Sequence, residues 1–119
     1  MSPAQLRRRC LAMAGATEEF PFGEQTSVFK VGGRMFALSR LRARPLSVSL
    51  KCEPELGEAL RATHDAIRPG YHLNKRHWIT ITLDGSVPDA TVLDLVQDSY
   101  DLVVAGLSAK RRALLGSQD

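Results

Sequence analysis

Residues 26–41, TSVFKVGGRMFALSRL, contain two apolar stretches on either side of Gly32-Gly33. Valine and phenylalanine, which favour extended backbone, recur in these stretches. Two consecutive glycines adopt the positive φ angles of a tight turn at little cost, so they are typical of a two-residue hairpin connection. The pattern predicts a β-hairpin with strands over residues 26–31 and 34–41.

Two more segments alternate between apolar and polar residues, which indicates strands with one buried face. In residues 46–51, LSVSLK, the leucines and the valine share one face, while the serines and Lys51 share the other. In residues 78–83, WITITL, the isoleucines and the last leucine oppose the two threonines. One dry face and one wet face are typical of an antiparallel sheet that helices cover on one side only.

Capping signals and apolar stripes predict four helices. The first begins with Ser2 as its N-cap and Pro3 at its first position, where the missing N–H has no cost. In the second, Leu56 and Leu60 are expected to face the core. The second to fourth helices are predicted over residues 54–63, from 88 or 89 to 107, and from 108 to 115.

Two segments are predicted to be loops. Residues 17–25, TEEFPFGEQ, are expected to turn Phe20 and Phe22 into the core, and residues 64–75 form a polar connection around Pro69-Gly70. The predicted order is helix, hairpin, strand, helix, strand and long helix. This order makes an α+β two-layer sandwich, with an antiparallel sheet and helices packed on one face.

The composition fits one domain over residues 1–119, since 44% of the residues are hydrophobic and 24% are charged. No run approaches the ~20 apolar residues of a bilayer span. The apolar stretch after Arg9 is weak and is interrupted by Gly15, so no signal peptide is predicted and a cytoplasmic location is expected. Cys10 and Cys52 do not form a CxxC pair and are expected to be reduced, partly buried thiols.

The charged residues are unevenly distributed along the chain. The formal net charge of +3 is only mildly basic, so the arrangement of the charges matters more than their sum. Basic residues cluster at residues 7–9, 40–44, 75–76 and 110–112, and acidic residues cluster at 53–58 and 89–101. This separation predicts a basic and an acidic face if folding gathers the basic groups together.

Seven short segments together suggest a family. They are EFPFG (19–23), VFKV (28–31), MFAL (35–38), VSLKC (48–52), PGYHLNK (69–75), HWIT (77–80) and SYDLV (99–103). In this order they resemble the MmcQ/YjbR family, and the resemblance covers nearly the whole chain. Its most specific part is the segment HLNKRHW, residues 72–78.

The resemblance implies the two-layer fold of the frataxins. It also implies a DNA-binding function, which for this family is described through a "double wing" of strands and loops. Frataxins are thought to handle iron through an acidic first helix. Residues 7–9 of this chain are all arginine, so iron handling is not expected here.

The segment HLNKRHW is the first candidate binding site. Its polar candidates are His72, Asn74, Lys75, Arg76 and His77. The cations suit phosphates, the amide suits hydrogen bonds to phosphates or bases, and the histidines and Trp78 suit stacking. In the alternative interpretation, Trp78 anchors the core, the Asn74 side chain forms hydrogen bonds with backbone groups of a turn, and the cations are only solvated.

Arg42, Arg44 and Lys51 form the second candidate site. Lys51 shares the wet face of its strand with two serines, and such a face can hold an elongated polar ligand. The arginines lie in the turn before this strand, where a wing could reach a DNA groove. The alternative is charge that only keeps an exposed face soluble.

Catalytic and metal-binding patterns are weak. His72 and His77 are five residues apart, which does not match the i, i+4 histidine pair of a helical zinc site. The sequence has no GxSxG elbow, P-loop or GxGxxG, and Cys52 is followed by Glu53. No catalytic residue, metal or cofactor is expected.

The sequence therefore predicts a binding module rather than an enzyme. The expected partner is DNA, bound with low sequence specificity through phosphates beside the open sheet face; the same groups would serve RNA, and no membrane contact is expected. The main alternative is a protein-interaction or chaperone-like module that uses the open face, followed by a small-molecule-binding protein or an enzyme. An apolar, uncharged outer face would favour a protein partner, and a continuous basic groove would favour nucleic acid.

Overall fold

The computed structural model describes residues 1–116 as one six-stranded sheet and four helices. The helices are α1 (Pro3–Leu11), α2 (Pro54–Thr63), α3 (Asp89–Ala105) and α4 (Ala109–Gly116). The strands are β1 (Thr17–Glu19), β2 (Ser27–Val31), β3 (Arg34–Ser39), β4 (Ser47–Lys51), β5 (Ile67–Pro69) and β6 (Trp78–Thr82). This confirms the α+β class, the hairpin and the four helices, and it adds β1 and β5.

The sheet has the strand order β1-β2-β3-β4-β6-β5, and every neighbouring pair is antiparallel. Helix α3 lies across β3 and β4 and contacts α1, while α2 packs against β5. Cross-strand pairing aligns Phe29, Ala37, Leu50 and Ile79 on the side of the helices, where each is at most 1% exposed. The core therefore lies between one face of the sheet and the helices.

The opposite face of the sheet is open over β4, β6 and β5. Alternation along these strands places seven side chains on it: Ser47, Ser49, Lys51, Trp78, Thr80, Thr82 and Arg68. The wet face predicted from LSVSLK and WITITL is therefore confirmed.

Helix α1 begins with the predicted cap. The Oγ of Ser2 accepts a hydrogen bond from the Gln5 amide at 3.1 Å, and the Gln5 side chain accepts one from the Ser2 amide at 2.8 Å. This reciprocal pair satisfies two amides that an uncapped helix leaves free, an arrangement that contributes about 1 kcal/mol. Leu6 and Cys10 then face the core one turn apart.

Ser99 of α3 bridges β3 and β4 where a backbone hydrogen bond between them is missing. A β-bulge shifts the register between β2 and β3, and Phe36 is left without a cross-strand partner. The Ser99 hydroxyl donates to the Phe36 carbonyl at 2.6 Å and accepts from the Lys51 amide at 2.8 Å. One buried hydroxyl thus takes the place of a missing rung between β3 and β4.

The prediction that Phe20 and Phe22 turn into the core is wrong. Their side chains are 49% and 64% exposed. Residues Thr17–Glu19 pair with β2 as an edge strand, and the following residues therefore leave the sheet at its end instead of crossing beneath it. Large apolar residues are common on protein surfaces, so hydrophobicity alone did not fix their position.

Two further predictions need correction on the α2 side of the molecule. Leu56 was expected to face the core but is 40% exposed, while Leu60 does pack against the core. Gly57 is the residue of α2 that meets the sheet, because a Cβ there would lie 3.5 Å from the Ile79 side chain. The polar connection after α2 also contains β5, whose residues pair with β6.

Both cysteines are free and buried, in agreement with their predicted reduced state. Burial raises the pKa of Cys10 to about 12, and burial together with nearby Asp98 raises the pKa of Cys52. Within residues 1–116, no helix combines the length and the apolar character that crossing a bilayer requires.

Candidate functional site

The predicted site residues lie at two ends of the sheet. Lys51 ends β4 and pairs with Trp78, so the loop of residues 70–77 lies beside it. Arg42 and Arg44 precede β4 and lie beyond its other end, where the first strand residue, Ser47, is about 13 Å from Lys51 at ~3.3 Å per strand residue. The structure brings Lys51 together with His72, Asn74, Lys75, Arg76 and His77, and it leaves the two arginines apart from them.

The side chains of Asn74 and Lys75 brace this loop. Asn74 Oδ1 accepts hydrogen bonds from the amides of Arg76, at 2.9 Å, and His77, at 3.1 Å. Lys75 Nζ donates to the carbonyl of Gly70 at the start of the loop. The alternative interpretation of Asn74 as a turn residue is therefore correct, and Lys75 is engaged within its own loop.

The loop holds Tyr71 away from the protein. The Tyr71 amide donates to Thr80 Oγ1 at 2.9 Å, and that hydroxyl lies 2.8 Å from Ser49 Oγ. The Tyr71 side chain is 70% exposed, and its ring contacts the His72 ring with centroids 4.0 Å apart and planes tilted by 53°. His72 has a φ of 58°, a left-handed conformation that non-glycine residues rarely adopt.

Gly70 allows the loop to approach Trp78 closely. A Cβ at Gly70 would lie 2.6 Å from the Trp78 Cβ, so a larger residue would push the strands apart. Trp78 itself is partly exposed on the open face and does not belong to the apolar core of the described residues. The interpretation of Trp78 as a core anchor is therefore wrong.

Three cations around this part of the sheet have no protein partner. Within residues 1–116, the charged groups of Lys51, Arg68 and Arg76 form no ion pair or hydrogen bond. Arg68 pairs with Thr80 across the sheet, which places it on the same open face as Lys51. None of the seven open-face positions on β4, β6 and β5 is a carboxylate, although Lys51 also borders a cavity between α2 and α3 whose lining includes Glu53, Asp98 and Asp101.

Other cations of the molecule are engaged. Arg7 pairs with Glu18 at 2.8 Å and Lys30 with Glu19 at 3.3 Å. Arg44 donates to two carbonyls of its own loop, at 2.7 and 3.2 Å. Of the two predicted arginines, only Arg42 therefore presents an unpartnered charge among the described residues.

The open face is divided in composition. On β2 and β3 it carries the apolar side chains of Met35 and Leu38, next to the Lys30–Glu19 pair and to Val28, which is fully buried. On β4, β6 and β5 it is polar and basic. The face is neither uniformly apolar nor a continuous basic groove, and its unpartnered charge is confined to the β4–β6–β5 half.

The described part of the chain, residues 1–116, contains no group of three or more His, Cys, Asp or Glu residues placed to hold a metal ion. The raised pKa values of both thiols favour the protonated form, which is a poor nucleophile. The site therefore offers cations, hydroxyls and aromatic rings for binding.

Sequence reasoning missed two residues of this site, Arg68 and Tyr71. Arg68 lies on β5, a strand of three residues that is too short for alternation to reveal. Tyr71 follows Pro69-Gly70 in a polar segment, and a large aromatic residue in such a loop was the signal that could have identified it.

Comparisons with known proteins agree with the fold and with the resemblance. The family model described as YjbR matches residues 11–102. The uncharacterised protein YjbR of Escherichia coli K12 is 39% identical over 115 residues, which cover 97% of this chain and 98% of that protein. YbdF of Escherichia coli O157:H7, also uncharacterised, is 43% identical over 93 residues, which cover 77% of this chain and 75% of that protein. A crystal structure of a Deinococcus radiodurans protein with the domain DUF419 superposes with a TM-score of 0.91 at 45% identity, over 97% of this chain and 88% of that one.

Proposed function

The chain belongs to the YjbR family, and we propose that it is a DNA-binding module of low sequence specificity that holds phosphates beside the open face of its sheet. The observation that carries the proposal is the group Lys51, Arg68 and Arg76. These cations lie at one end of the β4–β6–β5 face with no partner among residues 1–116 and no carboxylate on that face.

Sheet geometry supports their joint action. Lys51 and Arg68 are two strands and two residues apart, so their Cα atoms are about 12 Å from each other at ~4.8 Å per strand and ~3.3 Å per residue. Phosphates along one DNA strand repeat every ~3.4 Å of helix axis, so a short piece of one strand spans both cations. Arg76 lies at the same end of the sheet, two residues before Trp78.

The chemistry of these groups predicts binding without strong sequence preference. Lysine and arginine contacts to phosphate release counterions, and this term is independent of base sequence. The serine and threonine hydroxyls between the cations add hydrogen bonds to phosphate or sugar. Arg42, beyond the other end of β4, supplies a further cation for longer DNA.

The experiment is fluorescence anisotropy with random-sequence duplex and single-stranded DNA over a salt series. Three phosphate contacts predict that log K falls with log salt with a slope of about −2 for single strands and about −3 for duplex. The variant Lys51→Ala/Arg68→Ala/Arg76→Ala should lose most of the affinity and most of this slope.

A matched control removes the same charge elsewhere. Arg8, Lys110 and Arg112 are exposed residues on α1 and α4, outside β4, β5, β6 and the loop of residues 70–77, and their side chains have no partner among the described residues. Arg8→Ala/Lys110→Ala/Arg112→Ala should bind DNA nearly as the parent does. The proposal is wrong if the parent does not bind DNA at low salt, or if both triple variants bind alike.

A further inference from the structure

We infer that the DNA this site takes is single-stranded, and that its bases stack on Tyr71 and Trp78 while Lys51, Arg68 and Arg76 hold its phosphates. The inference rests on the proposed function and adds the form of the ligand. It is carried by a separate observation, which is the pair of aromatic side chains at the open face: Tyr71 in the loop of residues 70–77 and Trp78 at the start of β6.

The local backbone structure keeps the Tyr71 ring exposed to solvent. A tyrosine ring that is 70% exposed would gain stability by folding back onto the sheet, where its apolar carbons would be buried. Its backbone is instead fixed through Thr80 Oγ1, and the loop behind it is closed by Asn74 and Lys75. The ring is therefore held outward with little freedom left in the backbone that carries it.

The left-handed backbone of His72, next to Tyr71, also supports a binding role for this loop. A φ of 58° costs a non-glycine residue about 1–2 kcal/mol. Glycine at this position would remove that cost but would also remove the imidazole ring that lies 4.0 Å from the Tyr71 ring. Backbone strain of this kind concentrates at binding sites, where the orientation of a side chain matters more than local stability.

Trp78 lies close to Tyr71 along the backbone of the sheet. Gly70 donates its amide to the Trp78 carbonyl at 2.8 Å, and Tyr71 follows Gly70 directly. The Cα atoms of facing residues on adjacent strands are about 4.5–5.5 Å apart, and Tyr71 is one residue beyond the residue that faces Trp78, so both aromatic side chains can contact one short single strand. Trp78 also pairs with Lys51, which places a cation next to the ring.

Exposed rings discriminate between forms of DNA. In a duplex each base face is covered by its neighbours, so an exposed ring gains nothing from stacking unless the helix is unstacked at an energetic cost. In a single strand the bases are free to leave one another and stack on aromatic side chains, with little dependence on sequence. A site that combines unpartnered cations with the exposed Tyr71 ring and the partly exposed Trp78 ring therefore favours the single strand.

The test compares labelled oligothymidine with a duplex and with an abasic strand of the same length, at one salt concentration. Oligothymidine should bind more tightly than either of the others. Because stacking on one ring changes affinity roughly 5- to 150-fold, Tyr71→Ala should weaken oligothymidine binding by that factor, and Tyr71→Phe should restore it. The fluorescence of Trp78, the one tryptophan in the sequence, should be quenched by oligothymidine and not by the abasic strand.

The matched control is Phe22→Ala, which removes an equally exposed aromatic ring at the far end of the sheet and should leave binding unchanged. Thermal melting of Tyr71→Ala should equal that of the parent, because the ring is largely in solvent. Equal affinity for duplex and single strand, or an unchanged Tyr71→Ala, would overturn the single-strand inference and leave the proposed DNA binding standing. An absence of binding to any DNA would remove both, and a strict requirement for oligouridine would replace DNA by RNA.

Discussion

Ser99→Ala tests whether the bulge between β2 and β3 depends on a side chain from α3. Ser99 is fully buried, and its hydroxyl joins the Phe36 carbonyl and the Lys51 amide. Alanine fits the space but leaves both backbone groups without a partner. A buried polar group left unsatisfied costs about 1–3 kcal/mol, so the free energy of unfolding should fall by about 2–4 kcal/mol.

Two corrections to this value are small. Alanine has a higher helix propensity than serine, which returns about 0.5 kcal/mol to α3. The Lys51 amide is only partly buried, so water can recover some of its hydrogen bond. The net loss is still a large share of the about 5–15 kcal/mol that stabilises a typical domain.

Equilibrium urea unfolding, followed by circular dichroism, measures the loss. For a slope of about 2 kcal/mol per molar urea, the midpoint should move down by about 1–2 M. Amide hydrogen exchange at Lys51 should also become faster relative to its strand neighbours. Asp94→Ala is the control, since Asp94 is exposed on the same helix and has no partner among residues 1–116. A Ser99→Ala midpoint within ~0.3 M of that control would refute the account of the bulge.

Two further predictions concern a turn and a thiol. Gly32→Ala should destabilise the protein by about 1–3 kcal/mol more than Gly33→Ala in urea unfolding, because both have positive φ but only a Cβ at Gly32 would lie 2.6 Å from Leu107 Cδ1. Equal losses would mean that Leu107 does not limit this turn. Burial raises the pKa of Cys10 from 9.0 to about 12 in the folded chain, so the neutral thiol stabilises the fold below pH 9, and this contribution is lost as the pH rises from 9 towards 12. Urea unfolding across that range should show stability falling by up to about 1.4 kcal/mol per pH unit more steeply in the parent than in Cys10→Ser, and parallel slopes would contradict the assignment.

The elements predicted correctly are those whose signals are local. Ser2 and Pro3 define the start of α1 within one turn, and Gly32-Gly33 defines the hairpin within two residues. Strand β5 has only three residues, so it contains too few positions for a period of two to be recognised. Phe20 and Phe22 were misplaced because their position depends on β1, another strand of three residues, which pairs at the edge of the sheet.

The site was predicted in part for the same reason. The residue types of HLNKRHW indicated binding chemistry. The hydrogen-bond partners of Asn74 and Lys75 lie within the loop, and only the structure identifies them. The separation of Arg42 from Lys51 could have been deduced, because these residues bracket a single strand and must lie at its two ends. Arg68 needed the nonlocal pairing of β5 with β6, which no local pattern encodes.

The loop of residues 70–77 contains side chains that stabilise its backbone and side chains that remain available to a ligand. Asn74 and Lys75 bind backbone groups inside the loop, whereas the side chains of Tyr71 and Arg76 form no hydrogen bond within residues 1–116. Ordering a flexible loop on binding costs affinity, and internal hydrogen bonds that fix the loop beforehand reduce this cost. Under the proposed function, a cation braced in this way would contribute to binding without touching the ligand, so residue type alone would overstate the number of phosphate contacts. The proposal assigns these contacts to Lys51, Arg68 and Arg76, and the salt dependence of binding would measure their number.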